Sequence, residues 1–189
     1  MLRMRWLARD IGTISNLLNS EECDDYIRSS EAQHFEEAPV TTLAGMVMMK
    51  DVRNNNRVMI DDNAMAATLY ARIAPLVPPR VKKKWRPIGL NERFRFYRYD
   101  PGQKFDWHLD GYYERDNGER SFFTFMIYLN DDFEGGGTSF HDARDFGAFT
   151  VTPSKGMGLI FHHPIEHRGD EVTQGRKYVL RSDVMYTRI

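Results

Sequence analysis

The stretch that decides the fold is Lys104-Phe105-Asp106-Trp107-His108-Leu109-Asp110. Polar and apolar residues alternate along it, which predicts a β-strand. Residues two apart on a strand share a face, so we expect His108 and Asp110 to point the same way. An imidazole and a carboxylate on one face can both bind a metal ion. The pair alone also fits a solvated polar face, so the rest of the site must come from other strands.

Four histidines downstream of this pair are candidates for a third ligand. His167 stands in Pro164-Ile165-Glu166-His167-Arg168-Gly169, 57 residues beyond Asp110, which leaves room for several intervening strands. His141, His162 and His163 are the alternatives. His162 ends an apolar run and His163 precedes a proline, positions typical of structural histidines or of histidines that support a ligand.

Two more residues complete a pattern that can be compared with known families. Lys177 lies 10 residues after His167 in a strand-like run, and Tyr99 lies nine residues before His108. The pattern resembles the iron(II)- and 2-oxoglutarate-dependent dioxygenases, in particular their prolyl 4-hydroxylase-like branch. That family places His-x-Asp on one strand of a jelly roll, a distal histidine on a later strand, and a basic residue about ten positions further on. The resemblance is specific from residue 94 onward.

The resemblance implies a role for each matching residue. His108, Asp110 and His167 would bind iron(II), and no catalytic residue is expected beyond this metal centre. Lys177 would bind the distal carboxylate of 2-oxoglutarate, with hydroxyl groups supplied by two tyrosines, Tyr128 and Tyr99. For each tyrosine, core packing is the alternative.

The implied reaction consumes 2-oxoglutarate and O2 and hydroxylates an unactivated carbon, releasing succinate and CO2. Ascorbate can serve as a reductant in such a site. The expected substrate is a prolyl residue in a protein or peptide, or a free amino acid or small metabolite. Candidate substrate-binding residues are Trp107, Tyr112, Arg53, Arg57 and Arg181, with loop solvation or packing as the alternative for each.

Two other functions fit parts of the pattern. A cupin-like metal-binding or non-oxidative module would share the fold, but it would be signalled by a missing ligand or a missing cation. A nucleic-acid oxidative demethylase would carry an Arg-x-Asn-x-Thr-x-Arg ending. The chain instead ends Arg181-Ser-Asp-Val-Met-Tyr-Thr-Arg188, which departs from that spacing.

The fold class predicted is mainly β with flanking helices (α+β), a double-stranded β-helix or jelly roll with helices packed on the outer sheet. Helices are predicted from Ser20, as N-cap, to Glu31 and from Ala64 to Leu76. Residues 1–189 are interpreted as one domain, with helices and strands of residues 1–90 packing on a jelly-roll core of residues 91–189. The predicted strands cover residues 11–18, 44–50, 94–100, 104–110, 121–130, 138–142, 148–152, 158–162 and 176–186.

Strand register predicts which side chains face the cavity. If Tyr99 faces it, so do Tyr97 and Arg95. In the last strand Lys177 and Arg181 share a face, together with Val179 and Asp183. In strand 121–130 the face of Tyr128 would carry Met126, Thr124 and Phe122, and the opposite face would pack on the helices through Phe123, Phe125, Ile127 and Leu129.

Composition limits the remaining choices. The formal net charge is −1 with 28% charged residues, so nucleic acid is not an expected partner. The run Lys82-Lys83-Lys84 is interpreted as a solvated basic loop, with an acidic-partner patch as the alternative. The single cysteine, Cys23, fits a reducing compartment. Residues 1–10 lack the apolar run of a signal peptide, and no membrane-spanning stretch occurs, so a cytoplasmic location is expected. The oligomeric state is left open.

Overall fold

The computed structural model describes residues 2–42, 45–142 and 147–189. The two helices are α1 (Ser20–Glu31) and α2 (Asn63–Ile73). The described strands are β1 (Met4–Ala8), β2 (Ile11–Ile14), β3 (Glu36–Glu37), β4 (Val40–Thr42), β5 (Gly45–Val47), β6 (Asn56–Asp61), β7 (Trp85–Leu90), β8 (Arg93–Tyr99), β9 (Phe105–His108), β10 (Arg120–Tyr128), β11 (Phe133–Gly135), β12 (Thr138–Asp142), β13 (Gly147–Val151), β14 (Gly158–His162), β15 (Glu166–Gly169), β16 (Val172–Gly175) and β17 (Lys177–Arg188).

Two antiparallel sheets form the jelly roll that the sequence predicts. Within the described ranges, nine strands make the large sheet in the order β1-β2-β14-β10-β17-β8-β6-β3, with β7 also paired to β17. Four strands make the small sheet in the order β13-β12-β15-β9. Many neighbours in both sheets, such as β2 with β14 and β9 with β15, are far apart in sequence, which is how the chain brings distant side chains into one cavity.

Both helices pack on the outer face of the large sheet. Leu69 and Ile73 of α2 belong to a buried cluster that includes Phe94, Phe125 and Leu180. A second buried cluster lies on the inner face, between the sheets, and contains the aromatic rings of Tyr99, Phe140 and Phe161. The central strands of the large sheet, β14, β10 and β17, are buried on both faces. The sheet therefore separates an apolar outer core from the inner cavity.

The helix boundaries follow from their capping residues. Asn19, rather than the predicted Ser20, is the N-cap of α1: its side chain accepts from the backbone N–H of Glu22, and the Glu22 carboxylate accepts from the N–H of Asn19. This reciprocal pair is a capping box, and it places the helix start one residue earlier than predicted. In α2 the side chain of Asp62 accepts from the N–H of Met65.

A β-bulge in β10 corrects one predicted face. The pairing of β10 with β17 shifts between Ser121 and Phe123. Because the bulge adds a residue, Phe122 turns to the outer core instead of joining Thr124 on the cavity face. Ser121 takes the inward position. A one-residue slip of this kind reverses which side chain faces the cavity.

Several strands differ from the sequence prediction. The predicted strand 11–18 is shortened to β2, which ends at Ile14 and pairs with β1, and strand 44–50 is the short β5, with Ala44 outside the described residues. The segment 80–86 is not simply a basic loop: Lys82 and Lys83 form a turn with positive φ, and Trp85 begins β7 with its side chain buried. Among the described strands, the ones that were not predicted are β1, β3, β4, β6, β7, β11, β15 and β16.

Neither described helix, of 12 and 11 residues, is long and apolar enough to cross a bilayer.

Candidate metal centre and its cavity

Three strand ends meet at the candidate metal centre. His108 is the last residue of β9 and lies directly opposite His167 on the neighbouring strand β15. The predicted strand 104–110 is too long, because β9 ends at His108. Asp110 follows in an irregular segment, where its backbone N–H donates to the carbonyl of His163 at 3.2 Å. The three side chains that the sequence singled out therefore converge.

The three side chains are close enough to share one ion. Nε2 of His167 lies 3.5 Å from Oδ2 of Asp110, and Nε2 of His108 lies 3.9 Å from its Oδ1. One ligand atom from each residue can be chosen so that all three lie within 4.8 Å of one another. Two imidazoles and one carboxylate form the donor set of non-haem iron(II) sites that leave open positions for chemistry.

Backbone hydrogen bonds fix the tautomer of both imidazoles. Nδ1 of His108 lies 2.7 Å from the carbonyl oxygen of Asp106, and Nδ1 of His167 lies 2.9 Å from that of Ile165. A carbonyl can only accept, so each Nδ1 carries the proton and each Nε2 presents a lone pair. Burial lowers the pKa of His108 to about 3, with the neighbouring His167 adding to the effect. Both rings are therefore neutral and ready to bind a cation.

Asp110 is held in its ionised form. Burial alone would raise its pKa, but the charge of Arg181 and the hydrogen bond from Thr124 hold the pKa of Asp110 well below its usual range. Nη2 of Arg181 lies 3.0 Å from Oδ1, and the hydroxyl of Thr124 donates to Oδ2 at 2.5 Å. A carboxylate has about four lone-pair positions, so these contacts leave room for a metal ion. The donor set thus fits iron in charge state as well as in spacing.

A hydrogen-bond chain behind Asp110 was missed by the sequence analysis. Because Thr124 donates to Asp110, its oxygen accepts from Nδ1–H of His163 at 3.0 Å. Nε2 of His163 then accepts from the hydroxyl of Ser121 at 2.8 Å, and that oxygen accepts the backbone N–H of Tyr113. Each group has one defined role, so the chain fixes the orientation of the carboxylate. Strand register predicted that Thr124 faces the cavity. Ser121, by contrast, faces inward because of the bulge in β10.

A small inner cavity opens beside the metal centre and extends to Lys177. This lysine is 2% exposed, and its Nζ donates to the carbonyl of Gly136 at 2.5 Å. Among the described residues no carboxylate lies within 4.0 Å of Nζ. Burial lowers the pKa of Lys177 to about 7. A buried amine without a counterion is suited to receive an anionic ligand.

Gly136 makes room for this lysine. Its φ is +59°, and a Cβ added there would lie 2.8 Å from the Phe133 ring and 3.2 Å from Cδ of Lys177. Only glycine combines this backbone conformation with so close an approach.

The two predicted tyrosines flank Lys177 from different sides. The ring centroids of Tyr99 and Tyr128 lie 5.0 Å and 5.5 Å from its Nζ. Within the described part of the chain, Tyr99 lines the inner cavity and Tyr128 does not. The hydroxyl of Tyr128 is instead hydrogen bonded to that of Thr138 at 2.6 Å.

The predicted substrate residues fall into two groups. Arg53, Arg57, Tyr112 and Arg181 line an outer cavity that shares His108 and Asp110 with the inner one. Trp107 lines neither cavity; its ring contacts the guanidinium of Arg168 and the ring of His141. This follows from alternation along β9, which turns Trp107 away from His108.

Comparisons with known proteins agree with this geometry. Residues 94–182 match the family model of the 2OG-Fe(II) oxygenase superfamily. The chain is 31% identical over 116 residues to probable prolyl 4-hydroxylase 9 of Arabidopsis thaliana, covering 49% of this chain and 40% of that protein. It is 24% identical over 188 residues to a putative prolyl 4-hydroxylase of Acanthamoeba polyphaga mimivirus, covering 88% and 70%. The chain thus spans less than half of the first relative.

A solved structure has the same fold. It is a prolyl hydroxylase in complex with a hypoxia inducible factor peptide fragment from Trichoplax adhaerens, at a TM-score of 0.70 and 14% identity, covering 93% of this chain and 83% of that one. Residues 94–182, which match this family model and contain the His-Asp-His arrangement, have the features of a 2OG-Fe(II) oxygenase domain. Within that superfamily the chain is similar to the prolyl 4-hydroxylases named above.

Proposed function

We propose that the protein is an iron(II)- and 2-oxoglutarate-dependent dioxygenase that hydroxylates an unactivated carbon. With iron(II), 2-oxoglutarate and O2 bound, the site supplies an oxidant for the substrate carbon while 2-oxoglutarate becomes succinate and CO2. The observation that carries the proposal is the pairing of two features. Two imidazoles with unprotonated Nε2 atoms face an ionised Asp110, and a buried lysine that forms no direct ion pair with any described residue closes the adjoining cavity.

Each residue has a distinct task in this proposal. His108, Asp110 and His167 hold the ion on one side and leave its other positions for reactants. Lys177 binds the distal carboxylate of 2-oxoglutarate, and Tyr99 places its hydroxyl on the same wall. Tyr128 has a supporting part through Thr138. The apolar walls of the inner cavity exclude water from the reacting centre, which keeps the oxidant on its substrate.

The proposed substrate is a prolyl residue in a protein or peptide, or a free amino acid or small metabolite. The prolyl 4-hydroxylases among the relatives and the peptide bound to the Trichoplax protein support the first choice. Ascorbate is proposed as the reductant that keeps iron in its ferrous state. A cytoplasmic location is part of the proposal, supported by the single free cysteine, Cys23.

An anaerobic titration tests the function without knowledge of the substrate. Apo-protein receives iron(II) and then 2-oxoglutarate while visible absorption is recorded. A weak charge-transfer band that needs both additions indicates chelation of the iron by 2-oxoglutarate. We expect His108→Ala and Asp110→Ala to abolish the band and iron binding, and the exposed His141→Ala to leave both unchanged.

The outcomes separate this function from its alternative. Iron binding without any band on addition of 2-oxoglutarate would contradict the proposal and would favour a cupin-like metal-binding module. Retention of iron binding in Asp110→Ala would contradict the proposed metal centre.

A further inference from the structure

The outer cavity carries an excess of positive charge beside the metal centre. Its described lining contains four arginines and two aspartates. We call the four arginines the arginine mouth; they are Arg53, Arg57, Arg95 and Arg181. The two aspartates are Asp110, which the metal centre would use, and Asp183.

Two of the four arginines are already paired. Nη1 of Arg95 lies 3.4 Å from Oδ2 of Asp183, and Nη2 of Arg181 lies 3.0 Å from Asp110 and 3.4 Å from Asp183. Both aspartates of the outer cavity, Asp110 and Asp183, therefore already form ion pairs. Among the described residues no carboxylate lies within 4.0 Å of Arg53 or Arg57, so neither forms a direct ion pair, although Glu36 lies opposite Arg57 across strands β3 and β6.

Arg53 is the more informative of these two residues. It is only 5% exposed; its Nε donates to Oδ1 of Asn55 at 2.8 Å, and its Nη2 has no hydrogen-bond partner among the described residues. The rings of Tyr97 and Phe105 lie 4.8 Å and 4.3 Å from its Cζ. Stacked rings attract a cation but do not accept its in-plane N–H groups. A buried guanidinium with a free donor at a cavity wall is incomplete without a ligand.

Strand register places Arg57 next to Arg53 on the same wall. Arg57 of β6 pairs with Tyr97 of β8, the residue on which Arg53 stacks. Burial lowers the pKa of Arg57, and the charges of Arg53 and Arg95 lower it further, while Tyr97 and Glu36 act in the opposite direction. Burial alone would raise the pKa of Tyr97, but Arg181, Arg53 and Arg95 bring it down to about 8. One anion bound between these arginines would relieve the repulsion among their positive charges.

We infer that the substrate is anionic and that a carboxylate on it binds between Arg53 and Arg57, at the outer side of the metal centre. This inference rests on the proposed dioxygenase function and adds the chemical class of the substrate. The carboxylate belongs either to an acidic side chain of a peptide or to the α-carboxylate of a free amino acid. Arginine suits both, because its planar fork donates two parallel hydrogen bonds to a carboxylate.

The inferred site is distinct from that of 2-oxoglutarate. The cation proposed for 2-oxoglutarate is Lys177, which lines the inner cavity and not the outer one. Arg53 and Arg57 line only the outer cavity. A substrate held there would extend toward His108 and Asp110, which both cavities share.

Two matched pairs of probes test the inference. Protein with iron(II) and saturating 2-oxoglutarate is titrated anaerobically with acetyl-Pro-Glu-amide or acetyl-Pro-Gln-amide, and with L-proline or L-prolinamide. Binding is followed by calorimetry and by the change in the visible band. We expect one acid to bind at least about tenfold more tightly than its amide, a difference set by one charge-assisted contact. A preference for the acid in the first pair indicates that the substrate is an acidic peptide. A preference for the acid in the second pair indicates that the substrate is a free amino acid.

Variants assign the effect to the arginine mouth. Arg57→Gln should remove the preference for the acid, and Arg57→Lys should retain most of it because the charge remains. The exposed Arg80→Gln serves as the matched control and should behave as wild type. If Arg57→Gln does not fold, the acid and amide affinities of the wild type and of Arg57→Lys still test the inference.

Three results would overturn the inference: equal affinity of acid and amide in both pairs, no binding of any probe, or displacement of the bound acid by excess 2-oxoglutarate. Failure of the proposed function is recognised separately. In that case the visible band is absent before any probe is added.

Discussion

The guanidinium of Arg181 lies 3.0 Å from Oδ1 of Asp110, the carboxylate proposed to bind iron. Both side chains are nearly buried, at 13% and 6% exposure, so little solvent screens the pair. Arg181 therefore acts as the counterion of the metal-free site. Iron would share the carboxylate with it, since Thr124 and Arg181 leave lone pairs free.

Removal of this counterion should cost more stability in the metal-free protein than in the iron-bound protein. We expect Arg181→Met to lower the free energy of unfolding by about 3–5 kcal/mol, the typical result of leaving a buried charge unpaired. Iron(II) should restore part of this loss, because it neutralises Asp110. Thermal unfolding with and without iron measures both effects. A larger stabilisation by iron in wild type than in Arg181→Met would contradict this account.

The hydroxyl of Thr124 should matter for iron and not for 2-oxoglutarate. Thr124→Val removes the bond to Asp110 and leaves Nδ1–H of His163 without its acceptor. Loss of such a supporting group typically lowers metal affinity by about 10–100-fold. Thr124→Ser keeps the hydroxyl and should restore most of the affinity. Iron titrations of the three proteins provide the measurement, and equal affinities would show that the chain has no role in orienting Asp110.

The binding of 2-oxoglutarate should weaken as pH rises above about 7. Burial lowers the pKa of Lys177 to about 7 in the free protein, so its amine loses its charge above that pH. Binding of a carboxylate then requires uptake of a proton, and the affinity should fall by at most about tenfold per pH unit. Lys177→Arg stays charged and should bind with little pH dependence. Titrations between pH 6.5 and 9 test this, and a flat profile in wild type would remove Lys177 from the site.

The metal-free protein should lose stability in acid because of buried His163. Burial lowers its pKa to about 4, below the value near 6.5 of an unfolded histidine. The unfolded chain therefore binds the proton first, and stability falls as pH decreases from about 6.5 toward 4, by up to about 1.4 kcal/mol per pH unit. His163→Gln should reduce this slope, whereas exposed His141→Gln should not. Denaturant unfolding at several pH values provides the test, and identical slopes in wild type and His163→Gln would exclude His163 as the source.

Local patterns in the sequence predicted most of what one strand can specify. Alternation placed His108 and Asp110 on one side, and it placed Lys177, Arg181 and Asp183 on one face of the last strand. The short strands and their turns predicted a jelly roll with helices outside, which the structure and the comparisons confirm. These features depend on the two-residue period of a strand, which is visible in a single sequence.

Pairing between strands that are distant in the sequence was harder to predict from the sequence alone. Strands β6, β7, β15 and β16 complete their sheets through partners elsewhere in the chain, and a short or irregular segment gives little local signal of such pairing. The bulge in β10 turned Phe122 outward and Ser121 inward, although the alternating pattern predicted the opposite for Phe122.

By itself, therefore, the sequence determined the kinds of ligand, their spacing along the chain and the faces of the regular strands. Tertiary structure alone decided that the chain from Ser121 through His163 supports Asp110, that Tyr99 lines the inner cavity, and that Arg53 is buried with an unpaired donor. The physical reason is that hydrogen bonds, burial and counterions depend on which distant residues meet. A periodic pattern fixes the direction of a side chain, but only the assembled sheets fix its neighbours.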